Sequence, residues 1–247
     1  MKATFIKSIL AAFIIILSVS ARSKAQTYYP VYLCDAGTAT LHTPEETTLA
    51  TGDKVYWYLE GVEVAVKTFN GTANITDYVT PNNLTAGVHN YTTKILSVAG
   101  CWGDVSDPFQ VYQLPSKTLA LTANNASYCG DNALLSSVIT ATTTPAQALP
   151  DGIEYGYAWT ATKNGTAVSP LTGIGSDDAS KTAVNKFTLT TTGAGTYVFN
   201  ATVIYVKTVA NTGVIKSGDN KGCEVTATAT QTVTVTPKPV KPTIVIQ

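Results

Sequence analysis

The chain has 247 residues, with 16 Lys plus Arg balancing 16 Asp plus Glu for a formal net charge of zero. Charged residues are only 13% of the total and both signs are scattered, so the basic stripe that nucleic acid or an anionic membrane requires is absent. Abundant Thr, Val and Tyr and a single Met suit β-strands. No stretch of ten or more residues beyond the N-terminal segment shows helical periodicity.

The N-terminus reads as a secretory signal peptide. Lys2 and Lys7 supply positive charge, Ile9 to Val19 is an unbroken apolar or small run, and Ser23-Lys24-Ala25 places small residues at −3 and −1 of a cleavage site. That apolar core is far shorter than the roughly 20 residues needed to cross a bilayer, so residues 1–25 are expected to be cleaved. The mature chain then starts near Gln26 and has 222 residues. No cysteine near the cleavage point suggests lipidation, and no second apolar stretch of spanning length follows. Four cysteines in an exported chain favour disulfides over free thiols.

From here the chain repeats itself. Cys34, the Trp57 strand, Gly87-x-x-x-Tyr91 and Gly100-Cys101 are followed in the same order by Cys129, the Trp159 strand, Gly193-x-x-x-Tyr197 and Gly222-Cys223. Repeats of this kind decide a fold. Lys54-Val-Tyr-Trp-Tyr-Leu59 alternates, with Val55, Trp57 and Leu59 on one face and Tyr56 and Tyr58 on the other. In the second repeat Tyr155, Tyr157 and Trp159 share a face. These strands run into turns at Leu59-Glu-Gly61 and Lys163-Asn-Gly165, and Asn-Gly is a strong hairpin signal. A boundary is expected near Leu114-Pro115-Ser116, after a strand from Phe109 to Gln113. The final strand places Thr226, Thr228, Thr230, Thr232, Thr234 and Thr236 on one face, opposite Val225, Ala227, Ala229, Val233 and Val235. Thr236-Pro-Lys-Pro-Val-Lys-Pro242 reads as a semi-rigid linker. Such a linker leads somewhere, so the expectation is either that the sequence is a piece of a longer chain or that Thr243 to Gln247 adds as a strand elsewhere. The second repeat carries extra residues, roughly Lys207 to Lys221, expected to form a hairpin projecting from one end.

With Cys, Trp strand, Gly-x-x-x-Tyr and Cys in order, both repeats resemble the immunoglobulin-like or PKD-like domains of bacterial secreted and cell-surface proteins. The resemblance implies an all-β chain of two consecutive Ig-like antiparallel β-sandwiches, residues 26–114 and 115–236, with 237–247 as a Pro-rich tail. It also implies one intradomain disulfide in each, Cys34–Cys101 and Cys129–Cys223. In antibody-type domains the Tyr precedes the second Cys by two residues; the wider Tyr-to-Cys gaps here move the bridges toward one end of each sandwich. The Trp-Asp-Phe-Gly-Asp-Gly stretch of PKD domains is absent: the chain reads Trp57-Tyr-Leu-Glu-Gly61 and Trp159-Thr-Ala-Thr-Lys163.

Little in the chain reads as chemistry. His42 and His89 sit in no nucleophile motif, and neither Gly-x-Ser-x-Gly nor a phosphate loop occurs. Glu45-Glu46 is a solvated loop, and Asp104-Val-Ser-Asp107, Asp177-Asp178 and Gly218-Asp-Asn220 are acidic turns without a calcium-loop pattern. No enzyme, cofactor or metal is expected. Trp102, beside Cys101, is expected at a disulfide-anchored loop tip, with Tyr56 and Tyr58 on an outward face. These aromatics either cover the sheet and the domain contact, or bind a sugar or protein. The expectation is an exported structural or adhesive module contacting a protein or glycan at a cell surface, alternatively in the periplasm. A carbohydrate-binding module, or an accessory domain of a larger surface or secretion assembly, are the other readings.

Overall fold

The computed structural model describes residues 27–43, 48–131, 135–145, 148–217 and 223–244. The expected signal peptide, Glu45-Glu46, residues 218–222 and residues 245–247 lie outside the described residues. Regular structure among the described residues is almost wholly β.

The first seven strands are β1 (Val31–Cys34), β2 (Thr40–Leu41), β3 (Lys54–Leu59), β4 (Val62–Thr68), β5 (Tyr78–Val79), β6 (Gly87–Leu96) and β7 (Phe109–Gln113). They form a sheet in the order β1-β7-β6-β3-β4, facing the pair β2-β5. The alternation in β3 works as read: Val55 and Trp57 are buried, and Tyr56 and Tyr58 are half-buried on the other face. Trp57 satisfies its indole N–H by donating to the Thr76 carbonyl at 2.8 Å, as a buried Trp must. Leu33, Leu41, Val55, Trp57, Tyr91 and Val111 fill the space between these sheets.

The next eleven are β8 (Thr118–Ala123), β9 (Ser127–Cys129), β10 (Ser137–Thr144), β11 (Ile153–Lys163), β12 (Thr166–Ala167), β13 (Gly175–Asp177), β14 (Val184–Leu189), β15 (Gly195–Lys207), β16 (Val214–Ser217), β17 (Val225–Thr226) and β18 (Gln231–Thr236). Two sheets result, β13-β14-β10-β8 and β12-β11-β15-β18-β9. With β8 read as strand A, this is an ABED sheet facing a sheet that contains C, F and G, the immunoglobulin arrangement. The Asn164-Gly165 turn between β11 and β12 has φ of 50° and 84°, the left-handed pair that a two-residue type I′ hairpin requires. Glu60-Gly61 makes the same turn between β3 and β4, at 50° and 79°.

The Gly-x-x-x-Tyr pattern also acquires a physical reason. The Tyr197 hydroxyl donates to the Gly193 carbonyl at 2.8 Å, the local tether that a tyrosine corner makes. Tyr91 is equally buried, but its hydroxyl has no hydrogen-bond partner among the described residues. The final strand is not continuous. β17 pairs Thr202 with Thr226, whereas β18 pairs Phe199 with Gln231, a two-residue shift. The shift keeps Ala227, Val233 and Val235 buried while Ala229 becomes exposed.

The extra residues of the second repeat do not project as a free hairpin. β16 crosses to the N-terminal sheet and pairs in parallel with β1, Val31 opposite Val214 through Cys34 opposite Ser217. That sheet therefore runs β16-β1-β7-β6-β3-β4. The crossing is held by a buried amide. Asn211 Nδ2 donates to the Tyr32 hydroxyl (2.9 Å) and the Gly152 carbonyl (3.1 Å), and its Oδ1 accepts from the Gly213 N–H (2.9 Å). Gly213 lies so close that a Cβ there would sit 2.1 Å from the Tyr29 carbonyl oxygen.

The expected disulfides are corrected for the same reason. Cys34 bonds to Cys223, 189 residues away, with a Cα–Cα distance of 5.8 Å, while Cys101 and Cys129 are free thiols. Side chains alternate along β1, so Leu33 points into the N-terminal core and its neighbours Tyr32 and Cys34 point the other way. There they join one apolar cluster with Leu114, Leu119, Tyr155, Tyr205 and Cys223. The Leu114-Pro115-Ser116 connection is part of this packing: Leu114 is buried, and the Tyr205 hydroxyl donates to the Pro115 carbonyl at 2.8 Å. Strand addition, disulfide and shared core join the N-terminal sheets to the C-terminal ones.

Candidate interaction face

Trp102 stands at the end of a tight turn after β6. Ser97 N–H donates to the Cys101 carbonyl, Gly100 N–H to the Ser97 carbonyl, and Cys101 N–H to Ser97 Oγ, all at 2.9–3.0 Å. The turn is therefore anchored by backbone and serine hydrogen bonds, correcting the disulfide-anchored tip, and Cys101 itself is exposed. Trp102 forms an antiparallel bridge with Leu96, which lays its ring over the outer face of β3 and β6. Its centroid is 4.8 Å from that of Tyr56, tilted by 55°, and Lys94 Nζ is 4.9 Å from the ring centre. The ring remains 50% exposed.

Register explains why these three meet. Tyr56 is opposite Lys94 on one side and Val66 on the other, so the row Val66, Tyr56, Lys94 faces outward beneath Trp102. Lys54, two residues before Tyr56, shares that face and is exposed. The result is an aromatic platform flanked by ammonium groups, of the sort that stacks on apolar faces and attracts acceptors. Tyr58 lies further along β3 between Thr92 and Glu63, on the same face as Tyr56. The face is interrupted at its other side, where Tyr32 and Tyr112 pack with Tyr29 at the junction between sandwiches.

The residues weighed for chemistry are scattered. His42 Nδ1 is 2.7 Å from Asp77 Oδ1, and His89 Nε2 is 2.8 Å from the Thr85 carbonyl. Asp178 Oδ1 accepts from the Ser180 N–H, the Lys186 N–H and Asn185 Nδ2, which makes it a turn-holding carboxylate. Cys129 Sγ donates to Asp131 Oδ1 at 2.9 Å. Asp131 is held below the usual carboxylate range, chiefly by that thiol and then by Lys238.

A second feature is absent from the sequence reading. Between the sheets of the N-terminal sandwich lies a cleft of about 420 Å³, with Val31, Leu41, Trp57, Tyr91 and Phe109 among its walls and Asp107 at its edge.

No protein-family model matches the chain, and no curated protein matches it. Solved structures that match it include a titin segment (11% identity, 87% of this chain and 97% of that one, TM-score 0.30). Immunoglobulin domains 1–4 of Sidekick-1 also match (12%, 85% and 49%, 0.26). So does invasin, a bacterial integrin-binding protein (17%, 87% and 39%, 0.30). The chain thus spans about half of the Sidekick-1 chain and about two fifths of invasin. Superpositions this loose fix neither ligand nor role.

Proposed function

We propose that this chain is a non-enzymatic exported module, made of an Ig-like unit from 26 to 114 and another from 115 to 236, that acts by surface contact. The observation that carries the reading is the Trp102, Tyr56 and Lys94 platform: a half-exposed indole held over a sheet, on a turn tied by its own backbone. Such a group makes contact at low entropic cost, because its geometry is set before the partner arrives. The coupling of the sandwiches through β16 and Cys34–Cys223 suits a spacer that carries the platform at a defined position. The partner is a protein or glycan at a cell surface. A glycan is the second reading, favoured by the open indole face beside Lys94 and Lys54, which offers stacking for a sugar ring and donors for its hydroxyls.

The test is binding of the purified chain to a glycan array and to intact cells, alongside Trp102→Ala and Tyr56→Ala. Both variants are expected to lose at least tenfold in binding while melting within about 1 kcal/mol of the parent, as surface substitutions do. Undiminished binding by Trp102→Ala removes the platform reading. Binding to cells but to no glycan leaves a protein partner and removes the second reading.

A further inference from the structure

The two sandwiches follow one strand plan and differ at one edge. In the C-terminal sandwich β8 lies along β10, from Thr118 opposite Thr144 to Ala123 opposite Ile139. The counterpart of β10 is β2, which pairs with β5 on one side and has no neighbour on the other among the described strands. Residues that would supply that neighbour are committed elsewhere. Thr27 N–H donates to Asp151 Oδ2 at 3.4 Å, Tyr28 lies against Gly152, and Tyr29 packs on Tyr112 with centroids 4.9 Å apart. The β7 edge is also incomplete, because β1 pairs only with Val111 to Gln113 and leaves Phe109 and Gln110 beyond it. The cleft of about 420 Å³ opens between these two strand edges, within the size range of sites that bind small ligands.

We infer that this cleft receives the C-terminal segment Thr243–Gln247 of a second copy, added as a strand along β2, so that copies join head to tail. The segment reads Thr-Ile-Val-Ile-Gln, with Ile244 and Ile246 on one face and about 7 Å apart in a strand. That face matches the apolar walls Val31, Leu41, Trp57, Tyr91 and Phe109. Pro237, Pro239 and Pro242 make the preceding stretch an extended spacer of about 3.1 Å per residue. The spacer leaves the body, since Val240 and Ile244 are 91% and 95% exposed. Lys238 is engaged by Asp131 at 3.1 Å, and beyond it the segment carries Lys241 and no acidic side chain, complementing Asp107 at the cleft edge. Strand addition already operates once within this fold, at β16 on β1. Main-chain hydrogen bonds supply the affinity in such contacts and alternate side chains the specificity. A head-to-tail contact of this kind does not pair a patch with itself, so it propagates into rings or filaments. It is independent of the Trp102 platform.

The experiment is sedimentation velocity of the chain from Gln26 to Gln247, in a Cys101→Ser, Cys129→Ser background so that thiols contribute nothing. Average mass is expected to rise with concentration. Truncation after Thr236, which removes no described strand, and the pair Ile244→Asp, Ile246→Asp are both expected to stay monomeric. A labelled peptide of residues 240–247 is expected to bind the truncated chain saturably. Its double-Asp version, and the truncated chain carrying Phe109→Arg, are expected to bind at least tenfold more weakly. A monomer at every concentration, association that survives truncation, or a double-Asp peptide that binds equally well overturns the inference. A tail that folds back into its own cleft would give the monomer result.

Discussion

Removing the Cys34–Cys223 bond is the sharpest perturbation this fold offers. The bond closes 189 residues, and loop-closure entropy for that length gives about 5 kcal/mol. Total stability for a domain is about 5–15 kcal/mol, so the loss is a large fraction. With a urea dependence of about 2–3 kcal/mol per molar, the midpoint is expected to fall by roughly 2 M on reduction. Cys34→Ala with Cys223→Ala is expected to fall slightly further, because both side chains are buried and truncation adds a cavity. The Cys34–Cys101 loop would give about 4 kcal/mol, so magnitude alone does not separate the two pairings. Cooperativity and mapping do. Trp57 reports on the N-terminal core and Trp159 on the C-terminal one; with the bridge across the junction, oxidised protein is expected to unfold in one transition seen by both. After reduction the β1–β16 contact has to hold the sandwiches alone, and the two signals are expected to separate. A midpoint shift under about 0.5 M, which at that urea dependence is no more than about 1.5 kcal/mol, refutes the reasoning. So does non-reducing peptide mapping that recovers Cys34–Cys101.

Other outcomes follow from the same junction. Gly213→Ala is expected to undo the β16 addition, because its Cβ would meet the Tyr29 carbonyl and the Tyr32 ring; hydrogen exchange should lose protection at Val214 to Ser217 while β3 and β6 keep theirs. Asn211→Ala removes three buried hydrogen bonds and is expected to cost about 2–4 kcal/mol, read from urea melts. Lys117 is buried, donates to the Cys223 carbonyl and lies 3.9 Å from the Tyr205 ring centre. Burial pulls its pKa from 10.5 down to about 8, against the opposing charge of Asp35. The unfolded chain therefore binds more protons than the folded one between those values, and stability rises with pH there. Wild type is expected to gain on Lys117→Met between pH 8 and pH 10, and parallel Tm curves would contradict this. Burial pushes the Tyr91 and Tyr205 hydroxyls above the usual tyrosine range. The folded form keeps those protons, so stability is expected to fall as pH rises through about 10, the ordinary tyrosine value. Absorbance titration should show these two ionising last.

Local features were legible before any coordinates. The alternation that buries Val55 and Trp57 depends only on strand period. Asn164-Gly165 announces its turn because few residue pairs tolerate two positive φ angles. The outward face of Tyr56 follows from the same parity, but its meeting with Trp102 and Lys94 does not. That depends on the β3–β6 register, Tyr56 opposite Lys94, which lets a turn many residues later fold its indole over the same row. The projecting hairpin failed for a related reason. Turn residues in the Lys207–Lys221 stretch reveal bends, but not which strand edge receives the segment between them.

Sequence alone therefore determined the all-β, Ig-like character of the chain, the inward face of β3 and the aromatic character of the outer sheet. Those follow from side-chain period and turn chemistry, which act over a few residues. Tertiary structure decided that β16 belongs to the N-terminal sheet, that Cys34 meets Cys223, and that β2 pairs with β5 alone among the described strands. A cysteine pairs with whatever sulfur the packing brings within reach, and a strand edge bonds whichever backbone arrives. Both are contacts between residues far apart in the chain, where local pattern carries no address.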